Sequence, residues 1–532
     1  MRLLSRRRSA TVALACSALV FAGCASDTEG KSVERTTSDF YEVGLVRTGD
    51  EGTSVEGGTL TFGAYAEPGY LDPAQTIVAG STGGVEMAAV YDVLMQYDTA
   101  TAKVEPQLAE SLEGNVDATE FTLKLRPGVT FSDGTPLDAA AVKWSLERYV
   151  AKGADEARLW ADNVTSVETP DDRTVVFTLK APWPSFAFML TTGPGMIVGK
   201  ASDSGGEFKP VGAGAFTLTR HRPKEEMVLT ARPDYWDGKP HLKAIRVVYL
   251  PDPNALYDTL ESGDVDAAFF RDAQVVRTAV KAGQPGFMNL VALGNVAVIN
   301  AREGHPGEDP RVRRAMALAI NPEVVSDRAY AGAGLPSNEV FPSFSTWHAD
   351  VGGREYDPDA ARKLLEEAKA DGYDGKVTYL DASDPASRIT AVAIKAMLEG
   401  VGFKVDLDLV SDIQEQIRKV AVDGTYDVAG WGMSWREAGP YGRMFATLHS
   451  QGNLTVGMST SPEMDALISE FQGAADLAAQ REVMTRIQKQ WNTDVPALPM
   501  GPTPEFLAWN KDVHGVDDSV NSMILLDDAW VG

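Results

Sequence analysis

Cysteine is almost missing from this chain. The 532 residues contain two, Cys16 and Cys24, both near the N-terminus. Everything after Cys24 therefore has no disulfide, no thiol nucleophile and no zinc site built on cysteine pairs. Stability has to come from core burial, which a body of this length can supply, divided over two or three lobes. Histidine is scarce as well: six residues, at 221, 241, 305, 348, 449 and 514, with no metal-ligand spacing and no His-Glu-x-x-His. Positive charge is in deficit, with 49 Lys and Arg against 75 Asp and Glu, a net charge of −26. Without the first 23 residues, which carry four arginines and no acid, the balance is −30. So negative a surface repels phosphate backbones and anionic lipid, and no nucleic-acid partner is expected.

Signatures of catalysis are missing too. Gly432-Met433-Ser434-Trp435-Arg436 fails as a nucleophile elbow because its last position is not glycine. The glycine-rich stretches starting at Gly212 and Gly332 each lack the third glycine of a dinucleotide loop and the Gly-Lys-Ser/Thr of a phosphate loop. Acidic pairs such as Asp406 and Asp408 discriminate nothing in so acidic a chain. The expectation is a binder with no catalytic residues, no cofactor and no resident metal.

What is present begins with Arg2, Arg6, Arg7 and Arg8, followed by a small, apolar run from Ser9 to Gly23. Fifteen residues fall short of the ~20 that cross a bilayer but suit the core of a signal peptide, here 1–23. The run ends in Leu-Val-Phe-Ala-Gly-Cys and resembles a bacterial lipobox, with Phe21 in place of the usual leucine. That resemblance implies acylation of Cys24 and an anchor on the outer face of the cell membrane; a plain secreted protein is the alternative. Residues 24–57 are rich in Ser, Thr, Gly and Glu and are expected to be a disordered tether.

The fold starts at Gly57-Gly58-Thr-Leu-Thr-Phe, an alternating strand. A helix is expected over 86–96 and strands over 120–125 and 129–131, with Arg126-Pro127-Gly128 as a type II turn. Asp138 is placed to cap a helix carrying Val142, Leu146, Tyr149 and Val150. A hairpin follows, 164–169 and 174–179. From residue 243 strands (245–250, 265–270, 295–300, 377–380, 404–409, 426–431) alternate with helices (253–262, 310–320, 359–370, 387–400, 413–423). Such alternation implies largely parallel sheets with helices on both faces. Ligands of such sheets bind at the carboxyl ends of the strands.

Seven blocks now stand in order: Leu71-Asp72-Pro73; Val90-Tyr91-Asp92-Val93-Leu94 with Pro106–Ser111; Leu125–Gly134; Pro210–Phe216; Asp234–Pro240; Ser262–Ala267; and Asp309–Ala315. Together they resemble the family-5 extracellular solute-binding proteins of ABC transporters, the peptide/opine/nickel class, over nearly all of 58–515. The resemblance implies an α/β, two-lobe periplasmic-binding-protein fold of type II, a Venus flytrap with an extra subdomain in the first lobe. Lobe I would comprise 58–88, the extra subdomain 89–207, then 208–292 and a return segment 501–532; lobe II would be 293–500. A monomer is expected, delivering a peptide or small solute to permease and ATPase subunits of an importer.

In peptide-binding relatives the ligand lies between the lobes like an added strand. Two stretches match the ligand-facing segments: one supplies Tyr65, Ala66, Glu67, Ser81, Thr82 and Gly83, the other Trp431, Gly432, Met433, Ser434, Trp435 and Glu437. The sequence departs from the family where peptide termini are read. Ser434 stands where an aspartate pairs with the terminal ammonium, and Asp381 where dipeptide binders place a carboxylate-holding arginine. Glu437 or Arg388 would have to substitute. Losing two charge-assisted bonds costs ~100-fold or more in affinity, so a zwitterionic dipeptide is disfavoured. A longer peptide, a cationic small molecule, an oligosaccharide, a nickel chelate or haem remain open; for nickel only His449 lies near the Trp431 loop.

Overall fold

Two long strands, Gly286–Ile299 and Ala497–Trp509, pair antiparallel at the centre of an eleven-stranded sheet. The computed structural model describes residues 41–49, 52–64 and 66–532, with the side chain of Ile413 left out. The leader, Cys24, the 25–40 stretch and Tyr65 lie outside the described residues. On one side of the central pair the order is Ala267–Phe270, Thr59–Ala64, Ala244–Tyr249, Glu226–Ala231 and Phe216–Arg222. On the other it is Val428–Trp431, Lys376–Ala382 and Lys404–Val410. The two long strands are thus the only members of this sheet shared by both halves among the described residues.

Both long strands are interrupted at the same level. Their register runs regularly from Gly286↔Ala508 to Val291↔Thr503, slips to Asn295↔Gly501, and slips again before Val296↔Pro499. Leu293 has φ 49° and Gly501 φ 134°. A side chain at Gly501 would start 2.0 Å from the Leu335 carbonyl oxygen, so glycine is required there. Pro499, Pro502 and Pro504 interrupt the strand's alternation and remove ladder donors, which hid it from sequence reading.

The sheet is mixed, which corrects the expectation of largely parallel sheets. Thr59–Ala64 runs parallel to 244–249 and 267–270, and 376–382 parallel to 404–410 and 428–431. The crossing strands and the 216–231 hairpin are antiparallel. Helices begin where acids cap them: Asp252 accepts from the amides of Asn254 and Ala255, Asp309 from Arg311 and Asp384 from Ser387. Pro253, Pro310 and Pro385 follow at the first helical position.

A separate four-stranded antiparallel sheet is built from 109–114, 120–125, 174–179 and 164–171, beside the helix Ala139–Ala151. Asp138 caps that helix by accepting from Ala141 N at 2.8 Å, and Gly128 takes φ 77° in its turn. The expected strand at 129–131 is reduced to one bridge, Thr130↔Pro136, and the helix expected over 86–96 runs Gly84–Tyr91.

The sequence blocks meet in space as scaffold. Arg148 holds Asp72 through two bonds of 2.8 and 2.7 Å and Asp203 at 2.6 Å, in a site where Asp72 has no exposure. Tyr235 and Trp236 both donate to Asp92, at 2.7 and 3.0 Å. Side chains at Gly212 and Gly214 would start 2.2 and 2.4 Å from the carbonyls of Val90 and Ala89, so these glycines let a loop lie against the 84–91 helix.

The expected tether is corrected at its C-terminal end. Gly44–Val46 pairs antiparallel with Met288–Gly286, Tyr41 and Val46 are buried, and the Tyr41 hydroxyl donates to Ala333 O at 2.7 Å. A free edge on one side of the crossing strand and two buried anchors outweigh a polar composition. No helix among the described residues is long and apolar enough to cross a membrane.

Candidate binding site

A cavity of about 350 Å³ opens on one face of the crossing strands. Its walls come from three directions. Ile77, Ala79, Ser81, Thr82, Tyr97 and Thr99 belong to the first half, with Ser519, Val520 and Asn521 from the C-terminal segment. Phe287, Asn289, Val291 and Glu505 form the floor, and Phe344, Thr346, Ser434–Ala438 and Arg443 come from the second half. A second cavity of about 290 Å³ lies on the same strands, lined by Gly294, Asn295, Tyr330, Pro502 and Thr503 among others. It contains none of the candidate residues, so the first is the stronger site.

The second-half wall exists because the chain after Val428–Trp431 clings to the interruption in the crossing strand. Met433 N and Ser434 N donate to Leu293 O at 3.0 and 3.3 Å, and Trp435 N to Ala292 O at 2.9 Å. Ser434 takes φ 51° to make the turn and reaches the cavity. Trp435 contributes to the wall while fully buried: Nε1 donates to the Thr447 hydroxyl at 3.1 Å, and the ring packs edge-on to Trp491.

Ser81, Thr82, Ser434, Trp435 and Glu437 are brought together in this cavity. The other candidates lie elsewhere. Glu67 is occupied by His221 Nε2 at 2.6 Å and Lys224 N at 2.8 Å. Ala66 is exposed, and Gly83 takes φ 89° against Pro68 to start the helix. Trp431 pairs with Val296 and is half-buried against the core; Gly432 is exposed and Met433 buried, and none of the three lines the cavity. Asp381 lies against Gly430, where it accepts from the Tyr379 hydroxyl at 3.0 Å, and burial pushes its carboxyl up to about 6. Arg388 is exposed, its nearest bond running to Ser383 O at 3.4 Å. His449 stacks on Phe445, and no cluster of metal-ligating side chains occurs among the described residues.

The cavity carries four charged side chains, with unequal compensation. Arg436 meets Glu156 at 2.8 Å and Asp155 at 3.6 Å, and Arg443 meets Asp155 at 3.0 Å. Both acids belong to the segment between the 139–151 helix and Ala157–Asn163, so this quartet joins the two halves. Gln472 reinforces it by donating to Asn163 at 2.6 Å, and Trp183 packs on Tyr441 at 5.2 Å. Glu437 accepts from the Ser345 hydroxyl at 2.7 Å and Thr346 N at 2.6 Å; burial still raises its carboxyl. Glu505 accepts from the Ser522 hydroxyl, and burial raises it too. Sequence reading missed Glu505, Asn289, Arg443 and the 519–522 turn, which carry no motif.

Residues 103–455, about two thirds of the chain, match the family model for bacterial extracellular solute-binding proteins, family 5, middle part. The chain belongs to that family. It is accordingly a solute-binding protein of transport systems and not an enzyme. Heme-binding protein A of Haemophilus influenzae is 26% identical over 95% of this chain and 96% of its own length. The solved structure of DppA from Helicobacter pylori, in complex with peptide STSA, superposes with a TM-score of 0.76 at 23% identity over 90% of this chain and 98% of that one. AppA of Bacillus subtilis, in complex with a nonapeptide, gives a TM-score of 0.76 at 20% identity over 90% and 100%. These establish the two-lobe α/β fold of the periplasmic binding proteins, as the resemblance implied.

Proposed function

We propose that this family-5 protein captures a peptide or similar small solute in the cavity over the crossing strands and passes it unaltered to an ABC importer. The observation that carries this reading is the cavity itself, whose walls come from both halves of a molecule joined by two interrupted strands. Residues 58–292 with 501–532 act as lobe I, including the extra subdomain 89–207, and 293–500 act as lobe II. Hinge closure at Leu293 and Gly501 brings the walls together. Ser81, Thr82, Ser434, Trp435 and Glu437 contact the solute; Cys24 carries the lipid that keeps the chain on the outer membrane face, beside the permease and ATPase subunits it serves. The protein works as a monomer.

Peptide leads among solute classes because DppA and AppA, which share the fold, hold peptides. Small-angle scattering with and without bound solute tests the reading. The radius of gyration is expected to fall on saturation; an unchanged radius with solute bound contradicts closure.

A further inference from the structure

Where the floor of the cavity meets the 519–522 turn, two side-chain polar atoms have no partner in the fold. Glu505 stands opposite Asn289 across the paired crossing strands and is 6% exposed. Its carboxylate accepts from the Ser522 hydroxyl, which in turn accepts from the Asn289 amide at 2.7 Å. Beside it, Ser519 is 1% exposed and its hydroxyl has no hydrogen-bond partner. Asn521 donates its amide to Val78 O at 3.0 Å, yet its buried side-chain oxygen accepts nothing. Unpaired buried polar atoms are costly, and two of them beside one cavity mark a place where a ligand could complete the bonding. The backbone is strained at the same place: Asn521 and Ser522 take φ 59° and 57° in succession, a conformation that persists only where its surroundings enforce it.

We infer that Glu505, the Ser519 hydroxyl and the Asn521 side-chain oxygen form a subsite for a cationic group of the solute, an ammonium or a guanidinium. The inference rests on the reading of this cavity as the solute site. All three residues line the cavity and carry acceptor oxygens, and an ammonium or guanidinium has donors only. The cavity's own cations do not compete. Arg436 and Arg443 are engaged by Asp155 and Glu156, and the charge of Arg271 acts to lower Glu505. The cavity's two acids, the buried Glu505 and the half-buried Glu437, thus form no ion pair with the cavity's arginines. Burial raises both, outweighing the opposing pull of Arg271 on Glu505 and of Arg481 on Glu437.

Matched probes test this on the full chain by titration calorimetry: Ala-Lys-Ala against Ala-norleucine-Ala, and agmatine against butylurea. The cationic member of at least one pair is expected to bind about ten- to hundredfold more tightly, as charge-assisted hydrogen bonds do. Preference within the first pair assigns the cation to a peptide, within the second to a free amine or guanidine. Glu505→Gln and, separately, Ser519→Ala should narrow the preference; two sites make the result independent of one variant's folding. Equal binding of both members, or a preference unmoved in folded variants, overturns the inference. So does a host-derived solute without a basic group, recovered from the protein. A chain that retains no solute and binds no probe overturns the cavity reading itself, which is a different failure.

Discussion

Asp155 offers a way to weaken closure without touching the cavity. It does not line the cavity, but it holds Arg443 at 3.0 Å and Arg436 at 3.6 Å, all three being 11–12% exposed. Removing one member of a buried pair costs ~3–5 kcal/mol, because the remaining charge stays desolvated. Here Glu156 still serves Arg436, so Asp155→Ala should cost about 2 kcal/mol, roughly thirtyfold. If the quartet holds the halves together, that cost falls on the closed state. Solute affinity should drop by up to this factor, and the radius of gyration of the solute-bound form should rise. Combining Asp155→Ala with Arg443→Met should restore part of the unfolding free energy, since the stranded guanidinium is gone. High salt should change little, because the pairs are buried. An Asp155→Ala protein with wild-type affinity, scattering and unfolding would refute the reasoning.

Three further substitutions probe the scaffold. Arg148→Met leaves Asp72 buried without its bidentate partner and should cost ~3–5 kcal/mol in denaturant unfolding, against well under 1 kcal/mol for an exposed ion pair. Burial pushes Glu86 up to about 7 from its ordinary 4.5; between those values the unfolded chain has lost the proton and the native chain keeps it, so stability falls as pH rises. Glu86→Gln should remove up to about 3 kcal/mol of that fall between pH 5 and 8, read by thermal unfolding, while other acids raised by burial, Asp381, Asp527, Glu437 and Glu505 among them, keep the rest. Gly501→Ala places a methyl group against the Leu335 carbonyl at a positive φ and should lower the unfolding midpoint by the equivalent of ~1–3 kcal/mol or more; a wild-type midpoint would show that the interruption yields freely.

Local chemistry made much of the fold legible. The helix starts expected at 253 and 310 stand, each at a proline after a capping aspartate, and the one expected at 387 begins two residues earlier, at Pro385 after Asp384. The glycines of Pro210–Phe216 and the tyrosine–tryptophan pair at 235–236 identified the family, but through packing: they hold Asp92 and the 84–91 helix. Past Trp431 the helices at 441–448, 462–473 and 477–494 follow without an aspartate–proline start. The crossing strand 497–509 was hidden by its prolines.

The site was legible only in part, because its groups come from segments far apart in sequence. Ser434, Glu437, Ser81 and Thr82 came from the two stretches that match the ligand-facing segments of the family. Asp381 was misleading for a physical reason: at a strand end its carboxylate lies over Gly430 of the neighbouring strand and never reaches the cavity. Glu505 and the 519–522 turn become neighbours only through the return of the chain.

Native mass spectrometry of the protein purified from its own host bears most directly on the claim that two halves close on a solute and release it unchanged. The expected result is a single non-covalent small molecule per chain, released intact when the chain is unfolded. A bare polypeptide mass under all gentle conditions, or a solute recovered chemically altered, would contradict it.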